Sequence, residues 1–174
     1  MNPQQTTGND GQKSIVVLGL GANLGDRLAT LRTAATALDQ LDGVRVTARS
    51  SVYETPPAGG PAQPDYLNAA VAVETSLTPG ELLERLLVIE HRLGRRRPDA
   101  VRWGPRTIDI DLLWMNRATF GSPDLEVPHP RLTERAFALV PLLELVPNAA
   151  HPISGLRYDS LPAARQTLER VAQL

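Results

Sequence analysis

Cysteine is absent from these 174 residues. That excludes a disulfide framework, a thiol nucleophile and any cysteine-ligated zinc or iron–sulfur centre. No apolar run approaches the length of a membrane span, and the first residues lack the apolar stretch of a secretion signal. A cytoplasmic protein without membrane partners is expected. An excess of one charge is missing too. Eighteen Lys and Arg face 19 Asp and Glu, a net charge of −1 that gives no global attraction to nucleic acid. Aromatic residues are few: two Trp, three Tyr and two Phe. A G-x-x-x-x-G-K-[ST] P-loop is also missing, so any phosphate chemistry needs another scaffold.

What remains is ordinary for a globular enzyme, with 42% hydrophobic and 21% charged residues. Residues 1–12 are polar and expected to be a disordered tail; residues 13–174 read as one domain. Ile15 to Leu18 is a short apolar run typical of a buried strand, followed by Gly-Leu-Gly-Ala-Asn-Leu-Gly and a helical pattern of Leu28, Leu31, Ala35 and Leu38. Gly43 stands where a glycine closing that helix is expected. The glycines resemble a dinucleotide fingerprint, but their spacing is G-x-G-x-x-x-G and no repeated βαβ units follow. Residues 44–55 read as a second strand, and 56–64 as a loop dense in Pro and Gly. From Tyr66 the chain alternates: Leu67, Ala69, Val71 and Val73 face one way, Tyr66 and Asn68 the other.

The best-delimited helix starts at a Thr78–Glu81 capping box with Pro79 in its first turn, and ends at Gly94. Leu82, Leu83, Leu86, Ile89 and Leu93 form its apolar stripe, and Glu90 falls inside that stripe. A carboxylate there is costly without a partner, so Glu90 is expected at the edge of a polar site. Further helices are expected around Arg135 to Glu144 and from about Leu161, the latter carrying Ala164, Leu168 and Val171. The order β-α-β-β-α-β with extra C-terminal helices predicts an α+β, ferredoxin-like two-layer sandwich with an antiparallel sheet.

The most informative stretch is Arg-Trp-Gly-Pro-Arg-Thr-Ile-Asp-Ile-Asp at 102–111. From Thr107 it reads as a strand, with Asp109 and Asp111 on one face and Ile108, Ile110 and Leu112 on the other. A rise of roughly 3.3 Å per residue spaces the two carboxylates about 7 Å apart along that strand. Carboxylates that close repel unless a cation lies between them, and Mg²⁺ accepts one or two carboxylates together with phosphate oxygens. Arg102 and Arg106 upstream are forked donors suited to phosphate. The segment Arg95 to Val101 before them, opening on three arginines, is a candidate lid. The bland reading, a solvated strand face, has to compete with this concentration of arginines.

These motifs resemble the 6-hydroxymethyl-7,8-dihydropterin pyrophosphokinase family of folate biosynthesis. The resemblance covers the chain from Ile15 to about Pro147. Besides residues 102–111 it rests on Gly-Leu-Gly-Ala-Asn-Leu-Gly-Asp, Tyr-Glu-Thr-Pro-Pro, Gln-Pro-Asp-Tyr-Leu-Asn-Ala-Ala and Val-Pro-His-Pro. It implies transfer of the β,γ-pyrophosphoryl group of ATP to the pterin's hydroxymethyl group. Two Mg²⁺ ions would be held by Asp109 and Asp111, with Arg95 and Arg106 completing the catalytic set. ATP would meet Glu90, Arg97, Arg102, Trp103, Leu112, His129 and Arg135. The pterin would meet Thr55, Pro56, Ala58, Tyr66, Asn68 and Phe137. A monomer acting on small molecules, with no nucleic-acid partner, is expected. The chain departs from the family at Asp124, Glu126 and Pro130, near the adenosine side. Two other classes compete. An RNA-binding module would use aromatic pairs on the sheet that this sequence lacks, and an Asp-x-Asp nucleotide-sugar transferase would need a larger chain.

Overall fold

The computed structural model describes residues 13–96, 103–116 and 118–174. Six strands build one antiparallel sheet: β1 (Ser14–Ala22), β2 (Val44–Arg49), β3 (Ser51–Thr55), β4 (Tyr66–Thr75), β5 (Asp109–Met115) and, last in the chain, Glu169–Gln173. A small ribbon of β6 (Phe120–Gly121) and β7 (Glu126–Val127) lies between, so the last strand is β8. The order across the sheet is β5-β1-β4-β3-β8, and β2 also pairs with β4. The α+β, ferredoxin-like class expected from the sequence is the fold found. The tail at 1–12 lies outside the described residues.

Helices α1 (Arg27–Asp39) and α2 (Pro79–Arg92) cover one face. Beneath them lie Val16, Leu18, Leu20, Leu67, Ala69, Val71, Ile108, Ile110 and Leu112, all buried, and from Leu67 onward in the alternation read from the sequence. The Asp26 side chain caps α1 by accepting from Ala29 N at 3.1 Å, and α2 opens on the Thr78–Glu81 capping box. The end of α2 matters most for the site. Gly94 takes a left-handed φ of 89°, its N–H bonds His91 O, and the Arg95 N–H bonds Glu90 O at 3.0 Å. This Schellman pattern turns the chain back on itself and brings Arg95 beside Glu90.

The opposite face is where expectation and structure part. α3 (Ala136–Leu145) packs there, with Leu139 and Leu142 against Val17, Ala70, Leu113 and Trp114, so the helices do not all lie on one side. This explains why Ile15 to Leu18 is apolar without alternation: β1 is covered on both faces. Its α3 is fastened by Glu144, whose carboxylate accepts from Ser51 N, Ser51 Oγ (2.7 Å) and Tyr53 OH (2.9 Å).

Four local readings are corrected. The helix expected from Leu161 is instead two 3-10 turns, Tyr158–Ser160 and Pro162–Arg165, followed by β8. Strand β3 has an edge to satisfy, and pairing with β8 outweighs the helical spacing of Ala164, Leu168 and Val171. The single strand expected over 44–55 is two, divided at Ser50, whose Oγ accepts from Ala70 N. Gly19 and Gly21 lie within β1, where they pair with both neighbours, and not in a turn. Gly43 follows the Gln40 cap by three residues and serves the turn into β2.

Candidate active site

α3 covers only part of its face. Past its N-terminus the sheet is open, and this is where β1, β4 and β5 present Gly19, Gly21, Asn68, Asp109 and Asp111. The register aligns Gly19 with Asp111 and Gly21 with both Asp109 and Asn68. The two glycines form the floor between acidic strand and neutral strand. A Cβ on Gly19 would stand 3.0 Å from Leu113 Cδ1, and one on Gly21 would stand 3.3 Å from Asn68 Oδ1. Side chains there would fill the cleft. A β-bulge opposite Val17 and Leu18 sends both Leu113 and Trp114 toward α3 and ends the acidic alternation.

The acidic end is built in two layers. Behind it, Glu90 is only 1% exposed, accepts from Ile110 N at 2.7 Å and pairs with Arg95 at 2.7 Å. Arg95, also buried, donates onward to Asp109 Oδ1, while Arg106 Nη1 reaches Asp109 Oδ2 at 2.6 Å. Burial opposes ionisation of Asp109, but the Arg95 and Arg106 guanidiniums outweigh it and hold the carboxyl below its ordinary value. Asp111 is the reverse case. Burial, then the Asp109 charge beside it, push its carboxyl up to about 7. Among the described residues Asp111 has no ion-pair partner, so one carboxylate of the pair is neutralised and the other is not.

His129, Arg131 and Arg135 stand across the cleft. Burial and the neighbouring Arg135 and Arg131 charges lower the His129 pKa, which keeps the ring neutral. Its Nδ1 accepts from Arg131 N at 3.1 Å, so Nε2 carries the proton as a donor. The Nε–H of Arg135 is buried without a hydrogen-bond partner, a donor that an anionic ligand would satisfy.

The neutral end is organised by amides. Asn68 Nδ2 donates to Thr55 Oγ1 at 2.8 Å, both groups buried, which leaves the Asn68 Oδ1 acceptor toward the cleft. Tyr66 and Phe137 flank that position. Asn23, at the end of β1, bonds Arg106 N through Oδ1 (2.7 Å) and Gln63 Oε1 through Nδ2 (3.0 Å). Gln63 then donates to Trp103 O at 2.8 Å and Tyr66 OH to Gly104 O at 3.2 Å, joining loop 56–64 to segment 103–106.

A single cleft therefore gathers Thr55, Pro56, Ala58, Tyr66, Asn68, Trp103, Arg106, Asp109, Asp111, His129, Arg135 and Phe137 from the sequence-based set. Glu90 and Arg95 lie behind its wall, and Leu112, expected to meet ATP, points into the α1–α2 core and does not line the cleft. Arg97 and Arg102 lie outside the described residues. Asn23, Gln63 and Arg131 were not anticipated. Asn23 lies inside Gly-Leu-Gly-Ala-Asn-Leu-Gly-Asp, Gln63 opens Gln-Pro-Asp-Tyr-Leu-Asn-Ala-Ala and Arg131 follows Val-Pro-His-Pro, but nothing in those motifs singles these side chains out.

The sequence profile of the 7,8-dihydro-6-hydroxymethylpterin-pyrophosphokinase family matches residues 17–147. The chain belongs to this family. The Bacillus subtilis 2-amino-4-hydroxy-6-hydroxymethyldihydropteridine pyrophosphokinase is 50% identical over 132 residues, covering 76% of this chain and 78% of that one. The Methylorubrum extorquens protein of the same name is 51% identical over 131 residues, covering 75% and 82%. Among solved structures, the wild-type HPPK-DHPS of Plasmodium falciparum with pterin and p-hydroxybenzoate aligns at a TM-score of 0.66 over 87% of this chain. This chain spans 43% of that longer protein, and at 16% identity the likeness speaks for the fold alone. As a family member, the chain is a pyrophosphokinase with ATP as co-substrate.

Proposed function

We propose that the chain transfers the β,γ-pyrophosphoryl group of ATP to the hydroxymethyl oxygen of 6-hydroxymethyl-7,8-dihydropterin, releasing AMP, as a step toward tetrahydrofolate. One observation carries the reading at residue level: the same cleft has an acidic, arginine-lined end and a neutral amide-and-aromatic end. The first suits a triphosphate. The second suits a flat heterocycle whose edge carries both donors and acceptors.

The acidic end fits Mg²⁺. Asp111 is half-buried, raised in pKa and next to a second carboxylate, so a cation there would restore its ionised form. Among the described residues no cluster of three His, Cys, Asp or Glu forms a protein-only cage. That suits an ion that completes its shell with phosphate oxygens and water. Asp109 and Asp111 would hold it, and two ions are the expected number. When bound, the metal supplies neutralisation of the triphosphate charge.

The chain's own groups do the rest. The hydroxymethyl oxygen attacks the β-phosphorus, the bond from that phosphorus to the α,β-bridging oxygen breaks, and AMP departs. Arg106 and Arg135 aim guanidinium donors at the oxygens that gain charge, and His129 Nε2–H adds a neutral donor. Either carboxylate of the pair would accept the hydroxyl proton. Thr55 and Asn68 would orient the pterin by its polar edge, with Tyr66 and Phe137 against its faces. Arg95 acts through Asp109, and Glu90 through Arg95. Arg97 and Arg102 are proposed as further phosphate ligands on the family resemblance. A monomer in the cytoplasm, where ATP and the pterin meet, completes the reading.

Incubation with ATP, Mg²⁺ and the reduced pterin tests it. AMP formation that needs both pterin and metal is expected. ADP formation, or turnover indifferent to the pterin, would overturn the reading.

A further inference from the structure

Trp103 sits at a junction of three segments. Its φ is 58°, a left-handed conformation unusual for a bulky side chain. Its carbonyl accepts the Gln63 amide at 2.8 Å. Loop 56–64 approaches so closely that a Cβ on Gly60 would come within 2.4 Å of Trp103 O, and one on Gly59 within 3.5 Å of the indole ring. The guanidinium of Arg131 lies over the same ring, 5.9 Å from its centroid. The residue is still 48% exposed, so burial alone does not fix it.

Arg131 has little else to hold it. Its pairing with Glu134 spans 3.5 Å between exposed side chains, a contact of small value in water. It also stands in a cleft already carrying Arg106 and Arg135. The negative face of an indole offsets such crowding of positive charge.

We propose that Arg131 is a positioning residue for the transfer reaction: stacked on Trp103, it holds the segment from Trp103 to Arg106 in place, and thereby Arg106 against Asp109. The stack is a property of the folded chain alone. Its kinetic consequence rests on the pyrophosphokinase reading.

The test uses a Trp114→Phe background, which leaves Trp103 as the single tryptophan. Acrylamide quenching of the ligand-free protein reads the exposure of Trp103, and thermal unfolding confirms that each variant is folded. Arg131→Ala and Arg131→Gln should each raise the quenching constant roughly twofold, and raise KM for ATP and lower kcat by about three- to tenfold each. Arg131→Lys, which keeps the charge with a poorer stack, should fall between them and the parent in both readouts. Unchanged quenching in Arg131→Ala overturns the proposal. So does full recovery of KM in Arg131→Lys while quenching stays high, because that pattern means a phosphate ligand and not a stack. Failure of the parent to form AMP overturns the pyrophosphokinase reading and leaves the quenching result to judge the stack.

Discussion

The two faces of the sheet are built from the same strands and put to opposite uses. Toward α1 and α2, Leu18, Leu31, Leu38, Leu82 and Leu86 are fully buried and the packing is continuous. Toward α3 the apolar packing stops partway, at Leu113 and Leu132, and the rest is open cleft floored by Gly19 and Gly21. Strand β5 serves both: Ile110 enters the core between Asp109 and Asp111, which face the cleft. Because side chains alternate with period two, a one-residue slip would exchange the carboxylates for core residues. Stability and chemistry are thus separated by a pleat and not by a domain boundary, and substitutions on the two faces should fail in different ways.

The largest effect is expected on the closed face. Leu86→Ala should destabilise the protein by about 2–5 kcal/mol with kcat nearly unchanged at temperatures where it stays folded. Chemical denaturation read beside AMP formation checks this, and a matching loss of specific activity would break the division between the faces. On the open face, Asp111→Asn should cut turnover by on the order of a hundredfold, roughly 3 kcal/mol, without loss of stability. Asp109→Asn should cost similar activity and also stability, about 2 kcal/mol, because it ends the chain of ion pairs from Glu90 through Arg95 to Arg106. Denaturation midpoints of the two variants that moved together would show the carboxylates to be equivalent, contrary to their surroundings.

Asn68→Ala should weaken pterin binding by about 1–3 kcal/mol, with nucleotide affinity in the absence of pterin little changed. Calorimetric titration with each ligand separates the two. An equal loss for nucleotide would make Asn68 a support for Thr55 and not a contact.

The smallest effect concerns pH. The folded-state pKa of Asp111 is raised to about 7 from 3.8, so its protonated form is favoured by folding. That contribution is complete below pH 3.8 and is lost as pH rises through about 7. In metal-free buffer, Asp111→Asn should therefore raise the Tm by about 2–4 °C at pH 8 and by almost nothing near pH 4. A stabilisation equal at both pH values would mean that the carboxylate is not charged in the folded protein at pH 8.

Much of this division was legible in the sequence because it is periodic and local. Alternation over 108–112 and 66–73 placed both carboxylates and Asn68 correctly, and the capping box fixed the start of α2. Glu90 inside an apolar stripe pointed to a buried partner, and Arg95 is that partner. What escaped was long-range. The strand β8 is dictated by an edge more than 100 residues earlier, at Ser51, and local spacing favoured a helix there. The turn of Trp114 away from the α1–α2 core, to the side of Leu113, follows from a bulge that only the β1 register reveals. Asn23 and Gln63 meet across 40 residues, and nothing local marks an amide in a loop as a junction.

The Schellman turn at Gly94 also bears on the order in which the chain assembles. Glu90 and Arg95 are five residues apart, and the turn that joins them needs only the end of one helix. Loop closure over so short a span loses little entropy, so this pair can form as soon as α2 does. Asp109 arrives later, when β5 docks against β1 with carbonyls and amides some 90 residues distant. The wall of the acidic end is then standing before its carboxylates are in place, and an incoming Asp109 meets an arginine already held for it.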